Sequence, residues 1–302
     1  MQLIFKGIKK SYGKNEVLKG LDFTVNSGKP MGFLGRNGAG KTTLIRCLMD
    51  VFKPDSGEIL LDNKPISKSR VKFGYLPEER GMYAKEKILE QLIYFGMLRG
   101  GKKQECKDSA RKLLDKVGLL EYQDKKLETL SKGNQQKVQI CEALINDPDI
   151  IVMDEPFSGL DPVNSKLLKD IILEIIGKDK IMFFSAHQMS YVEEICEDIT
   201  IINGGNVVLT GNLDNIKREI GKNRIRLKSD KLSDEDLYSY ISTEIEGIDI
   251  EKDENSLIVS PISIDKNELL TELLRLNVSV ETFDSYRPSM QDIFIRYTGE
   301  IA

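Results

Sequence analysis

Short, almost unbroken apolar runs alternate along the chain with longer stretches whose apolar residues recur at helical spacing. Met31–Leu34, Ile150–Met153, Ile181–Phe184 and Ile199–Ile202 are of the first kind. Apolar runs without alternation predict strands covered on both faces, as in a parallel sheet. Segments between them, such as Val163–Ile176, carry apolar residues on one helical face and predict helices packed against that sheet. Strand–helix alternation through most of residues 1–220 thus predicts an α/β fold with a largely parallel sheet.

Between Gly81 and Ile145 the strand signal vanishes, and Ile88–Leu98 and Ser109–Val117 read as amphipathic helices. Residues 81–145 are therefore expected to form a helical insert on the sheet domain. From Arg224 the rhythm changes again. Ile225–Leu227, Leu257–Val259 and Val278–Val280 suggest strands, with helices at Asp234–Glu244 and Lys266–Leu276. A small C-terminal α+β domain of ferredoxin-like kind is the expected result. Gly221-Lys222-Asn223 has the composition of a linker, which divides the chain into domains 1–221 and 222–302. No internal repeat or low-complexity tract is visible.

Composition narrows the functional classes. No apolar run approaches the ~18 residues of a membrane-spanning helix, and the opening Met1–Lys6 is too soon interrupted for a signal peptide. The chain is expected to stay in the cytoplasm, and any transport path must come from another protein. The formal net charge of −4 is unevenly spread. Residues 222–302 hold 10 Lys and Arg against 17 Asp and Glu, a net of −7, whereas residues 1–221 hold 34 against 31, a net of +3. An acidic tail on a near-neutral body is unlike the basic face that phosphate backbones require, so nucleic acid is not an expected partner. Cys47, Cys106, Cys141 and Cys196 are widely spaced and lack a C-x-x-C pair, which predicts buried free thiols instead of a zinc site or disulfide framework.

Candidate chemistry begins at Gly35-Arg36-Asn37-Gly38-Ala39-Gly40-Lys41-Thr42, which fits G-x-x-x-x-G-K-[ST] between a predicted strand and a helix opening at Thr43. Glycines let successive backbone N–H groups turn inward around phosphates, and the following helix N-terminus favours negative charge. Lys41 is placed to reach the β- and γ-phosphates, and the Thr42 hydroxyl to bind Mg²⁺. A Gly-rich turn would explain the glycines alone, but chance matches to the whole pattern are expected in roughly one chain per hundred. ATP with Mg²⁺ is the expected ligand pair.

A second acid motif closes the strand at Ile150–Met153 with Asp154 and Glu155. Asp154 suits a Mg²⁺ ion held through water, and Glu155 is placed to polarise an attacking water as general base. An acid after a strand more often caps the next element. Following a phosphate loop, the pair supplies the other half of what ATP hydrolysis needs.

With these motifs and Leu130-Ser131-Lys132-Gly133-Asn134-Gln135-Gln136 between them, residues 1–220 resemble the ABC transporter ATPase family. The family's Leu-Ser-Gly-Gly-Gln signature falls at this point. Ser131 suits an N-cap of the helix running to Ile145, which leaves its hydroxyl and neighbouring N–H groups open to an anion. The resemblance implies that Ser131, Gly133 and Asn134 face the γ-phosphate of ATP on an opposite subunit. It further implies that Tyr12 stacks on adenine, that Asp161 in Ser158–Asp161 belongs to the dimer-forming D-loop, and that His187, the only His, is a switch residue touching the γ-phosphate. Glu78 stands where the family has Gln; as a carboxylate it can bind Mg²⁺ or position water. Lys132 and Asn134 replace the usual Gly and Gln.

Pro77–Gly81, the Ser131–Lys137 run and Pro288–Phe294 resemble one branch, the ABC-2-type exporter ATPases, including sodium-extrusion and multidrug-resistance systems. The resemblance implies a P-loop NTPase domain, ATP hydrolysis driven through a homodimer or heterodimer, and a separate integral membrane permease that holds the chain at the membrane's inner face. The alternative is a non-transport ABC ATPase acting on ribosomes or DNA; those members usually carry paired ATPase domains or long coiled coils, and neither is visible here.

Overall fold

The computed structural model describes residues 1–78, 81–175, 179–186, 188–253 and 255–299. It divides into two compact units, Met1–Leu213 with the segment from Ile293 onward, and Asp214–Asp292.

The first unit opens with a long antiparallel hairpin, β1 (Gln2–Tyr12) and β2 (Asn15–Asn26). β3 (Pro30–Gly35) then leads through the phosphate loop into α1 (Lys41–Leu48). β4 (Ser56–Leu61) and β5 (Lys64–Pro65) rejoin the hairpin in an antiparallel sheet of order β2-β1-β4-β5. This sheet is absent from the sequence expectation. Register shifts between Phe5 and Ile8 break the alternation in β1, so its buried residues Leu3, Phe5 and Ile8 fit no single period.

After β6 (Phe73–Leu76) come three helices, α2 (Ile88–Leu98), α3 (Lys103–Lys116) and α4 (Lys132–Leu144), which form the expected helical insert. Then β7 (Ile150–Asp154), α5 (Pro162–Ile175), β8 (Ile181–Ser185), α6 (Met189–Ile195), β9 (Asp198–Asn203) and β10 (Asn206–Asn212) complete a six-stranded sheet. Its order is β10-β9-β3-β8-β7-β6, parallel throughout except for the β9–β10 hairpin. β3, β7 and β8 are buried at every residue, which is why their sequences are apolar without alternation. Phe5, Phe23, Phe33 and Phe183 meet between the two sheets, with the Phe5 and Phe23 rings stacked at 4.4 Å. Leu44, Ile45, Cys47 and Leu48 seat α1 on the same core. The phosphate loop is thus anchored at both ends by apolar packing.

The insert is fastened by a partly buried ion pair. Arg99, at the end of α2, donates to the Glu142 carboxylate on α4 and to the Glu142 carbonyl at 2.7 Å. Burial raises the Glu142 carboxyl above its ordinary value, and the Arg99 charge pulls it back. Arg99→Met is expected to destabilise the protein by about 2–3 kcal/mol, because it strands a buried carboxylate. An acid with a raised folded pKa binds protons more readily folded than unfolded, so stability falls as pH rises between the two values. The loss should therefore be larger around pH 8 than around pH 5, read from urea unfolding at both.

The second unit begins with α7 (Leu213–Ile220), whose first residue still belongs to the first. β11 (Ile225–Ser229), α8 (Asp234–Glu244), β12 (Ile248–Asp253), β13 (Ser256–Pro261), α9 (Lys266–Arg275) and β14 (Val280–Ser285) follow. The sheet order β12-β13-β11-β14, antiparallel throughout, is the split β-α-β ferredoxin-like arrangement that the pattern suggested. Its last strand starts two residues later than expected. Asn277, at φ 56°, ends α9, and the Val278 N–H bonds back to Leu273 O at 3.0 Å, so Val278 fills the core as part of a helix stop. α10 (Met290–Thr298) closes the described chain. The Gly221–Asn223 stretch is a hydrogen-bonded turn, with Arg224 N–H bonded to Gly221 O at 3.1 Å. Among the described residues no helix is long and apolar enough to cross a membrane.

All four cysteines are buried and free. Burial pushes the Cys47 thiol up to about 11 and Cys141 to about 12, so both stay protonated near neutral pH.

Candidate nucleotide and hydrolysis site

The carboxyl ends of the parallel strands gather the candidate chemistry, where open α/β sheets hold ligands. β3 delivers the phosphate loop and β7 ends at Asp154, beside Ser185 at the end of β8. β6 ends at Leu76, two residues before Glu78. A cavity of about 460 Å³ opens here, lined by Arg36, Asn37, Gly38, Gly40, Lys41, Thr42 and Thr43 on one side and by Glu78, Asp154 and Glu155 on the other. Gly35 and Ala39 are buried beneath the loop.

Backbone geometry explains the loop sequence. Gly40 sits at φ 109°, and a Cβ there would lie 2.6 Å from the Leu18 side chain, so the turn into α1 demands glycine. Lys41 folds back over the loop, its Nζ donating to Gly35 O and, at 3.4 Å, to Arg36 O. Burial lowers the ammonium's pKa, while Glu155, Asp154 and Glu78 counter that shift. The loop therefore presents a partly desolvated cation to a cavity whose far wall is acidic, an arrangement ready for a polyphosphate.

The acid pair owes its aim to an unusual backbone. Successive strand residues point to opposite faces, yet Asp154 and Glu155 both line the cavity. Glu155 achieves this at φ 52°, a left-handed conformation that bulky residues adopt rarely and at a cost of roughly 1–3 kcal/mol. Its N–H bonds the Ser185 carbonyl and hydroxyl oxygens, each at 3.2 Å. The same Ser185 hydroxyl donates to Asp154 Oδ1 at 2.5 Å. Ser185 thus fixes both acids, a role that no sequence motif announced.

Other candidates stand apart from this cavity. Ser131 caps α4 as expected, its hydroxyl accepting from Asn134 N–H at 3.4 Å. Gly133 lies close to Leu160 and Asn164. Asp161 accepts from Asn164 N–H at 2.9 Å, and that bond, with one from the Asn164 side chain, holds its carboxyl below the usual range. None of Ser131, Gly133, Asn134 or Asp161 lines the cavity around Lys41, so one copy of the chain does not bring signature and phosphate loop together. Tyr12 is 49% exposed at the end of β1, edge-on to Phe52, and is also outside the lining. Asn15 and Val17 from β2 line it instead, two contributors that the sequence reading missed because nothing marks them but the hairpin that carries them. His187 lies outside the described residues.

Comparison with known proteins places this geometry. A family profile described as ABC transporter matches residues 18–158, and one described as ATP-binding protein DrrA1-3-like, C-terminal domain, matches 211–298. A Bacillus subtilis protein named uncharacterized ABC transporter ATP-binding protein YhaQ is 34% identical over 295 residues, covering 97% of each chain. The chain belongs to the ABC transporter ATP-binding protein family. Linearmycin resistance ATP-binding protein LnrL, also from Bacillus subtilis, is 28% identical over 302 residues and 97% of each chain. A solved structure described as the ATP binding subunit of an ABC transporter aligns with a TM-score of 0.67 at 28% identity, over 80% of this chain and 100% of that one.

This ABC ATPase accordingly binds ATP and hydrolyses it as the ATP-binding subunit of a transporter. The expected fold class holds in both parts, a P-loop NTPase domain with a helical insert and a small C-terminal α+β domain. The donors facing the cavity, the Thr42 hydroxyl and the carboxylates of Asp154 and Glu78, are all hard oxygen ligands. Such a sparse set suits Mg²⁺, which usually completes its shell with water and substrate phosphate oxygens.

Proposed function

We propose that this ABC ATPase powers an exporter by closing head to tail with a second ATPase chain around two ATP molecules. The observation that carries the reading is the single cavity in which Lys41 faces Glu78, Asp154 and Glu155 while Ser131 and its neighbours stand elsewhere on the same chain. Each site is completed only by another subunit. Gly35–Thr43 cradle the phosphates, Lys41 neutralises the β- and γ-phosphates, and Tyr12 supports adenine. Ser131, Gly133 and Asn134 meet the γ-phosphate across the interface, beside Asp161. ATP binds the closed pair more tightly than the open one, and hydrolysis reverses that preference. The second chain is either a copy of this one or a related ATPase.

Thr42, Asp154 and Glu78 would hold Mg²⁺, which supplies charge neutralisation at the phosphates. Glu155 accepts the proton of the attacking water, and His187 contacts the γ-phosphate as the family resemblance implies. Export is supported by the DrrA-like C-terminal match and by a full-length relative named for linearmycin resistance.

The permease is expected to dock on the helical insert and so to hold the ATPase at the inner face of the membrane. Tyr83, Tyr94, Met97 and Leu98 leave apolar surface exposed there, and Tyr83 stacks on Phe95 at 5.9 Å beside a 340 Å³ hollow. An apolar cluster of this kind on a mobile motor subunit marks a contact surface. The test is affinity capture of the Glu155→Gln chain from detergent-solubilised native membranes with ATP present. A stoichiometric polytopic membrane protein is expected, and adding Tyr94→Asp should weaken its recovery at least tenfold, the scale of a central aromatic anchor. Capture of ribosomes or DNA complexes without a membrane protein would defeat the proposal.

A further inference from the structure

The second unit has a cavity of its own that nucleotide hydrolysis does not use. About 640 Å³ in volume, it lies wholly within Asp214–Asp292. That size falls within the range of small-molecule sites. Its wall carries Arg218, Lys222, Arg224, Lys266 and Arg287, against one carboxylate among the described residues, Asp265.

The charge distribution makes this concentration informative. Asp214–Asp292 contains 11 Lys and Arg against 18 Asp and Glu, so the unit is strongly acidic. Nearly half its cations nonetheless converge on one hollow. Its single carboxylate is committed elsewhere: Asp265 Oδ1 accepts from the N–H groups of Asn267 and Glu268 at 2.6 and 2.9 Å, in the capping box of α9. Arg224 is spoken for by Glu251 and stacks over Tyr286 at 5.0 Å. Arg218, Lys222, Lys266 and Arg287 form no ion pair among the described residues. Cations gathered in this excess over one capping carboxylate repel one another, a cost that an anionic ligand would reduce.

The floor of the cavity is preformed. Gly221 packs so closely on the Tyr286 carbonyl that a Cβ there would lie 2.0 Å from its oxygen. Tyr286 N–H in turn bonds Arg224 O at 2.8 Å. Lys222 and Arg287 are therefore carried on a turn and a strand end that are locked together, with Arg218 in the last turn of the helix that leads into that turn. Pro261 and the 74% exposed Ile262 add an apolar rim.

We propose that this cavity binds a phosphate-bearing ligand of multiple negative charge, either a free organic phosphate or the headgroup of an anionic lipid. Bidentate guanidinium groups from Arg218 and Arg287 grip the phosphate, with Lys222 and Lys266 as supporting charges. Occupancy then lets the accessory unit sense phosphate metabolites or membrane contact independently of ATP.

The test separates this site from the phosphate loop by comparing the full-length Lys41→Ala chain with the Lys41→Ala/Arg218→Glu/Arg287→Glu chain. Both substituted arginines are exposed, so the fold is expected to survive, and Arg218→Glu/Arg287→Glu alone should leave basal ATPase activity unchanged. Calorimetric titration with pyrophosphate and flotation with vesicles of phosphatidylglycerol and phosphatidylcholine supply the two arms. Pyrophosphate binding that falls at least tenfold in the triple variant would assign a free phosphate. Flotation that needs phosphatidylglycerol and is lost in the triple variant would assign the lipid headgroup. If neither probe distinguishes the two chains, the site does not exist as proposed. Because both chains lack Lys41, that outcome says nothing about the ATP site. Preferential retention of an RNA oligonucleotide through the same arginines would also overturn the proposal.

Discussion

Glu155→Gln is expected to lower steady-state ATP turnover by about 10²–10⁴-fold, the usual contribution of a positioned general base, while ATP affinity stays close to normal. The amide keeps the size of the side chain and its hydrogen-bonding reach but cannot take a proton from water. Because Glu155 occupies a left-handed backbone conformation fixed by Ser185, an isosteric change should leave that geometry in place. A second consequence follows from the proposed cycle. If ATP favours the closed pair and hydrolysis releases it, a chain that binds without hydrolysing should accumulate as a dimer in ATP and remain dissociated in ADP. Phosphate release and light scattering across a gel-filtration peak measure the two effects on one sample. Near-normal turnover by a monomeric Glu155→Gln chain would remove both the base and the sandwich.

The parts of this protein that could be read from its sequence were those whose physics is local or one-dimensional. β3, β7 and β8 are buried on both faces, so an apolar run alone identifies them. Residues 35–43 are a contiguous structure in which loop, lysine and helix start are chain neighbours, and the motif carries the whole device. Asp154 and Glu155 were visible as a pair, but not the backbone turn that aims both at one cavity. Ser185 was invisible, since it reaches the acids only through the parallel register of β7 and β8. Asn15 and Val17 stayed hidden for a similar reason, because they belong to an antiparallel sheet whose bulges erase its period. In the second unit β12 was missed: Ile248 and Ile250 alternate with acidic residues in an edge strand, which leaves little apolar signal. Ser131 and Asp161, which the proposed function places at a subunit boundary, can be named from the chain, but the partners proposed for them lie beyond a single copy.

Lys41→Ala should separate nucleotide binding from folding more cleanly than any other single change. In the free protein the Lys41 ammonium is a liability as well as an asset, because burial opposes its charge and two carbonyls and the facing carboxylates compensate only in part. Replacing it with alanine removes that desolvation cost along with its hydrogen bonds, so the ligand-free protein should unfold at nearly the same urea concentration as the wild type. With ATP present the balance reverses. A lysine bound to β- and γ-phosphate oxygens contributes charge-assisted hydrogen bonds of about 1.5–3 kcal/mol each. Losing two of them weakens ATP binding by roughly 10²–10⁴-fold. Ligand-dependent stabilisation scales with the logarithm of ligand concentration over the dissociation constant. An ATP concentration that raises the wild-type melting temperature by several degrees should therefore leave the variant almost unmoved. Arginine should not rescue the loss, since a planar fork does not match a site built around a compact ammonium. If Lys41→Ala keeps the full ATP-induced shift, the phosphates are held by the loop backbone alone. If it instead unfolds without ligand, the bonds to Gly35 and Arg36 are holding the loop together, and the acidic wall of Glu78, Asp154 and Glu155 is tolerated only because that cation faces it.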